Sequence, residues 1–180
     1  MRNPTVNRRS LISSGAASAA VAIGAGSAFR PGQARASDPG IDFAFEVARS
    51  DAEWRDMLSP EEFNILREGS TELPKTSPLR NETAAGTYCC RGCDLTLYES
   101  VWKVPLEIGW VFFSHSIPRT VLTSIDGQPP AGMGDDSQIE AMIEVHCRRC
   151  GSHLGHIVHA EKKLVHCING TSLTFQRNSA

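Results

Sequence analysis

"TYCCRGCDLTLYES", residues 87–100, holds the first of two C-x-x-C pairs, Cys90-Arg91-Gly92-Cys93. The second, Cys147-Arg148-Arg149-Cys150, stands in "AMIEVHCRRCGSHLGHIVHA", residues 141–160. Two intervening residues let both thiolates of a pair converge across one tight turn, and two such turns complete a tetrahedral four-thiolate site for zinc. Gly92 and Gly151 supply backbone freedom beside the turns. Only the spacing inside each pair is constrained by geometry, so the long gap between the pairs is compatible with one site. Two disulfides compete with this reading in an oxidising compartment. A thioredoxin-like redox pair would need a βαβ context, and the region has no helical pattern. The repeated spacing favours zinc, which would clamp the two ends of a β domain and whose loss would unfold it.

Around the pairs the chain reads as short strands. "TYCC", "LTLYES", "GWVFFS", "TVLTSI", "AMIEVHC", "LGHIVHA", "LVHCI" and "SLTFQ" are rich in β-branched and aromatic residues. The 126–138 stretch is a loop by its Gly and Pro content, and Asn169-Gly170 is a hairpin signal close behind Cys167. Upstream, "DAEWRDML" has helical apolar spacing. "SPEEFNIL" begins a second helix with Ser59 as N-cap, Pro60 at its first position and Glu62 closing a capping box. The connecting "GSTELPKTSPLRNETAAG" is turn-rich. The expectation is a mainly β fold: a zinc-clipped antiparallel β domain, barrel-like or a sandwich, with two short N-terminal helices.

The 180 residues are 41% hydrophobic and 21% charged, a globular composition. The first 36 differ: they carry Arg2, Arg8, Arg9, Arg30 and Arg35 but no Lys, Asp or Glu. "NRRSLI" precedes the small, weakly apolar run "SSGAASAAVAIGAGSAF", and Ala34 and Ala36 frame an A-x-A cleavage pattern. This is the layout of a signal peptide of the twin-arginine type. The expected division is a leader over 1–36, a flexible lead-in over 37–50 and one domain over 51–180, with a periplasmic location. Removing the leader takes five of 18 positive charges and leaves 13 against 20 Asp+Glu, a net charge of −7. That argues against nucleic acid as a partner, because phosphate contacts need basic patches. A protein exported folded can acquire a metal in the reducing cytoplasm first.

Two cysteines stand outside the pairs. Cys89 adjoins Cys90 and, on a strand, faces the opposite side, as a small core residue. Cys167 has no partner in sequence, but His153, His156, His159 and His166 lie within the same segment. Imidazole near a thiol lowers its pKa and can deliver a proton to a leaving oxygen. His159 and His166 are expected to surround the zinc ligands or to be solvent-exposed.

These residues carry a resemblance. "EWRDMLSPEEFNILREGSTELP", "GTYCCRGCDLTLYES", the Gly109-Trp110 pair, "CRRCGSHLGHIV" and "CINGTSLTF" resemble, in that order, the peptide methionine sulfoxide reductases of the B type, which act on the R-sulfoxide. The resemblance runs from about residue 53 to 175. It implies that Cys90, Cys93, Cys147 and Cys150 hold a structural zinc. It implies Cys167 as the catalytic thiol, His153 and His156 as active-site histidines and Asn169 as the asparagine after the nucleophile. Trp110 would be the pocket tryptophan and Phe175 the aromatic closing the last motif. The implied reaction converts the Cys167 thiol into a sulfenic acid, which an external thiol reductant, thioredoxin-like or equivalent, returns through a disulfide. The implied partners are oxidised methionine in proteins and that reductant; a monomer is expected.

The chain also departs from the family pattern. "GWVFF" stands for the usual "GWPSF", bringing Val111 and Phe112. Val165 replaces an arginine two positions before the nucleophile, the loop before the nucleophile is the shorter "AEKKL", and Ile108 occupies a frequent place of the resolving cysteine. Lys162, Lys163 or His166 are the candidates to replace the lost charge. The departures keep a second reading open, a non-catalytic zinc-stabilised β module that binds peptide or a partner, and a third, a thiol-disulfide enzyme using Cys89 with Cys167.

Overall fold

Serine caps set both helices. α1 (Asp51–Met57) begins at Ser50, whose hydroxyl accepts from the Glu53 N–H while the Glu53 carboxylate accepts from the Ser50 N–H. α2 (Pro60–Glu68) repeats this with Ser59 and Glu62, has proline in its first turn, and ends at Gly69 with φ +74°. Of the two capping boxes, only that of α2 is expected from the sequence. Trp54 from α1 and Phe63, Ile65 and Leu66 from α2 are buried beneath them. The computed structural model describes residues 43–126 and 142–179; the leader, the start of the lead-in and nearly all of the 126–138 loop lie outside the described residues. Among those described, no helix is long and apolar enough to cross a membrane.

All eight predicted runs contain strands, arranged in two antiparallel sheets. β1 (Gly86–Cys90), β2 (Thr96–Glu99) and β9 (Leu173–Arg177) form a three-stranded sheet with β1 central. β3 (Lys103–Val104), β4 (Val111–Phe113), β5 (Val121–Asp126), β6 (Met142–Cys147), β7 (His153–Ala160) and β8 (Lys163–Ile168) form a six-stranded sheet in the order β3-β4-β8-β7-β6-β5. The main core lies where both sheets and the helices meet, and includes Trp54, Phe63, Tyr88, Tyr98, Phe113, Val145, Leu154, Ile168 and Leu173. Alternation along a strand sends neighbours to opposite faces. Val111 and Phe113 therefore enter this core, while Phe112 joins a smaller cluster on the other face with Leu106, Ala160 and Val165, against which Trp110, Val158 and Cys167 are half-buried.

Two local expectations are corrected. Asn169-Gly170 closes no hairpin: a 3₁₀ turn over Gly170–Ser172 carries the chain from β8 in the large sheet to β9 in the small one. The N–H groups of Gly170 and Thr171 find the buried Glu72 carboxylate instead of a strand partner. The tight hairpin is at "AEKK", where Ala160 pairs with Lys163 and both intervening residues, Glu161 and Lys162, have positive φ (+46° and +64°). At the cysteine turns the left-handed residues are Asp94 (φ +58°) and Gly151 (φ +70°), each just after its pair. Gly92 serves close approach, since a Cβ there would meet Ser152 Oγ at 2.9 Å.

Candidate functional site

Each cysteine pair occupies the turn of a different sheet: Cys90 ends β1 and Cys93 precedes β2, while Cys147 ends β6 and Cys150 precedes β7. The turns are built alike, with Asp94 N–H donating to Cys90 O and Gly151 N–H to Cys147 O, both at 2.8 Å. They bring all four sulfurs within 4.8 Å of one another, with Cys90–Cys150 at 3.7 Å and Cys93–Cys147 at 3.5 Å. A tetrahedron with metal–sulfur bonds of about 2.3 Å has edges of about 3.8 Å. Hydrogen bonding among the sulfurs, that with Cys147 foremost, holds Cys93 and Cys150 below the usual thiol range and pushes Cys90 above it; Cys147 is pushed up in turn, foremost by Cys150. Four thiolates this close cannot coexist without a cation between them. α2 adds the half-buried Arg67, whose guanidinium donates to Cys150 O at 3.1 Å and Ser152 Oγ at 3.3 Å. Donor set, spacing and surrounding charge all fit a zinc ion, which these four cysteines could hold.

Cys167 sits in a cross-strand row that spans the large sheet. Pairing places Val104 opposite Phe112, Phe112 opposite Cys167, Cys167 opposite His156, His156 opposite Glu144 and Glu144 opposite Ser124. Residues in one such row share a face of the sheet. β7 approaches β8 closely at Gly155, where φ is +152° and a Cβ would fall 2.1 Å from the Cys167 carbonyl oxygen. Only glycine fits there. A small hollow of about 40 Å³ opens at Cys167, lined also by Trp110, His156, Asn169, Thr71, Met142, Gly155 and Val158. Four of the predicted site residues therefore meet at one place.

His153 and Phe175 do not line that hollow. His153 is buried, its Nδ1 bonded to a Glu144 carboxylate oxygen, its ring 5.4 Å from that of His156 and its buried Nε2 unpartnered among the described residues. Phe175 lies in the small sheet against Tyr88 and borders a separate, more open hollow. His166 points to the other face, where Tyr98 Oη is 3.1 Å from its Nδ1. Lys162 and Lys163 are exposed at the far end of the β7–β8 hairpin; Lys163 is four residues from Cys167, about 13 Å along a strand. None of the three puts a positive charge at the thiol. Cys89 is buried in the small sheet with its Sγ 3.7 Å from Thr96 Oγ1, outside the hollow.

The electrostatics follow from this packing. Burial, then the Glu72 carboxylate, push the Cys167 thiol up to about 12. Neighbouring imidazoles would lower it, as the sequence suggests; Phe112, Val158 and Val165 instead surround it with apolar surface. Burial also lowers His156, against the opposing pull of Asp126, whose Oδ2 lies 3.1 Å from Nε2. Burial pushes Glu144 up, but the His146 and His153 imidazoles outweigh it and hold the carboxyl down at about 2. Three residues of the site went unread in sequence: Glu72, Glu144 and Asp126. Glu72 lies in a turn-rich stretch with no local signal. Glu144 and Asp126 become neighbours of the histidines only once the strand register is known.

A profile of the SelR domain matches residues 58–177. The chain is 38% identical over 134 residues to "Peptide methionine sulfoxide reductase B3" of Arabidopsis thaliana, covering 72% of this chain and 70% of that one. It is 35% identical over 134 residues to "Peptide methionine sulfoxide reductase MsrB" of Agrobacterium fabrum, covering 73% and 93%. Against the protein of the same name from Leptospira interrogans it is 34% identical over 136 residues, covering 74% and 98%.

Proposed function

The chain belongs to the peptide methionine sulfoxide reductase B family, and from that premise we propose that it reduces the R-sulfoxide of methionine residues in proteins, with Cys167 as the attacking thiol. The observation that carries the reading is the convergence of Cys167, His156, Trp110 and Asn169 on one hollow. A hollow opening on a thiol also supports an enzyme over a peptide-binding module built on the same fold.

The local chemistry suits a protonated thiol. Cys167 enters with its proton, and the half-buried, neutral His156 opposite it can take that proton and pass it to the sulfoxide oxygen. The sulfoxide oxygen moves to the Cys167 sulfur and the methionine thioether leaves, so thiol plus sulfoxide becomes sulfenic acid plus thioether. Trp110 offers an apolar face to the substrate methyl group. An external thiol condenses with the sulfenic acid, releasing water and forming a mixed disulfide, and a second thiol frees Cys167. Cys90, Cys93, Cys147 and Cys150 would hold a structural zinc, which would tie the two sheets at their turns and supply no redox chemistry. The leader over 1–36 directs the protein to the periplasm, where an exported thiol donor completes the cycle.

The test offers the protein a peptide carrying methionine R- or S-sulfoxide with dithiothreitol. Turnover of the R form alone, abolished by Cys167→Ser, is expected. A folded, metal-loaded protein with no turnover of either form overturns the proposal in favour of a binding module. Cell fractionation and the N-terminal sequence of the exported chain test the leader.

A further inference from the structure

Glu72 has no role in the reaction as described, yet three separate groups of this one buried residue touch the site. Its carboxylate accepts from Gly170 N–H (2.8 Å), Thr171 N–H (2.8 Å) and Thr171 Oγ1–H (2.7 Å). Its own N–H donates to Asn169 Oδ1 at 3.1 Å. Its carbonyl accepts from Trp110 Nε1–H at 3.3 Å. Asn169 is held from the other side by Leu154 O, which accepts both its backbone N–H and its Nδ2–H. The side chain is anchored deep, with Glu72 3% exposed.

We propose that Glu72 is the positioning residue of the reaction centre, locking Trp110, Asn169 and the Gly170–Thr171 turn into one unit around Cys167. Its charge has a second consequence. Among the described residues, the titratable group that lines the hollow with Cys167 is His156 on β7, and β4 presents Phe112; the Glu72 carboxylate, from the α2–β1 connection, is bonded to Gly170 and Thr171, three and four residues along the chain from Cys167, and acts on the thiol from there. A carboxylate fixed here by three donors disfavours the thiolate and keeps Cys167 protonated until a substrate oxygen is present to receive the proton. An exported thiol held this way resists oxidation between turnovers, because the thiolate is the form that oxidants attack. The inference rests on Cys167 as the reacting thiol.

Glu72→Gln and Glu72→Asp separate charge from reach. Iodoacetamide labelling of Cys167, followed by peptide mass across pH, reads the thiol without any sulfoxide chemistry. kcat and KM on the R-sulfoxide peptide read the positioning. Glu72→Gln is expected to lower the labelling midpoint by about one pH unit, raising labelling about tenfold at pH 9, and to lower kcat about 100-fold. Glu72→Asp keeps the charge at a shorter reach, so labelling is expected within about twofold of wild type while kcat falls at least tenfold. Thr171→Val removes one of the carboxylate's donors and is expected to lower kcat about threefold with labelling unchanged. Near-UV circular dichroism selects folded variants; should Gln fail to fold, the Asp and Val variants decide. A folded Gln variant with wild-type labelling and kcat, or Asp and Val variants with wild-type kcat, overturn the proposal. A wild-type protein without turnover but with the labelling shift intact would sink the reductase reading and leave the electrostatic role of Glu72 standing.

Discussion

The four-cysteine clip and Cys167 put sulfur at strand ends under opposite conditions. Cys90, Cys147 and Cys150 are at least as buried as Cys167, yet each has other sulfurs within 4.8 Å, and the Arg67 guanidinium closes over Cys150. Cys167 has a phenylalanine and a histidine as its strand neighbours and a carboxylate near enough to raise its pKa. The first environment calls for a cation, and its four cysteines could hold a metal as a clip. The second withholds positive charge and keeps a thiol neutral. Burial alone therefore does not assign a cysteine its role; the groups buried with it do.

The comparison breaks most visibly if the clip is opened. Zinc bound by four cysteines contributes about 10–16 kcal/mol in small zinc domains, as much as or more than the roughly 5–15 kcal/mol that holds a domain folded. Chelation under reducing conditions, or Cys147→Ser, is expected to abolish the near-UV circular dichroism signal at 25 °C. Cys167→Ser, by contrast, should shift stability by less than about 1 kcal/mol, since it leaves packing and clip intact. A chelated protein that melts like the untreated one would remove the clip from the account.

Phe112→Ala comes next in size. Phe112 is 2% exposed and lies beside Cys167 in the row. Its truncation is expected to cost about 3 kcal/mol in urea unfolding and to speed iodoacetamide labelling of Cys167, because water replaces ring carbons beside the sulfur. Stability lost with labelling unchanged would show that the raised pKa of Cys167 owes nothing to Phe112.

The two regions also differ in how far the sequence discloses them. The clip is legible because its constraint is local: two residues between cysteines, a turn, and a left-handed residue after each pair. The strands are legible from β-branched and aromatic runs, and α2 from its cap. The neighbours of Cys167 are set by pairing between distant segments. Glu144 stands beside His156 because β6 runs antiparallel to β7 with a register shift between Val145 and His146, and no local pattern states that shift. Glu72 reaches the turn after Asn169 across 98 residues of sequence. The Asn169-Gly170 signal misleads for the same reason: a long-range carboxylate takes the N–H groups that a hairpin would have paired.

Glu144→Gln tests whether the second histidine matters to the thiol. Glu144 bridges His146 and His153, leaving the His153 Nε2 as its free ring position. An amide at 144 can still pair with one imidazole but cannot accept from both. Turnover is expected to fall about thirtyfold, about 2 kcal/mol of barrier, with KM little changed and the fold kept. Unchanged turnover would leave His156 as the sole histidine of the reaction.

The last effect, about tenfold or about 1.4 kcal/mol for each pH unit, is the most specific to the comparison. Iodoacetamide reports the thiolate, so labelling of Cys167 in the folded protein should climb tenfold per unit past pH 9 and level off only near 12. The same cysteine in urea should level off near the ordinary thiol value of about 8.5. Because the folded value is the higher one, the neutral thiol contributes stability that is fully present below about pH 9 and is lost as pH rises through about 12. Turnover should not follow the labelling curve, since a thiol that passes its proton through His156 to the substrate oxygen needs no prior ionisation. A turnover rate that climbed in parallel with labelling would mean that the free thiolate attacks, and the apolar, negatively charged surroundings of Cys167 would then hinder the reaction rather than prepare it.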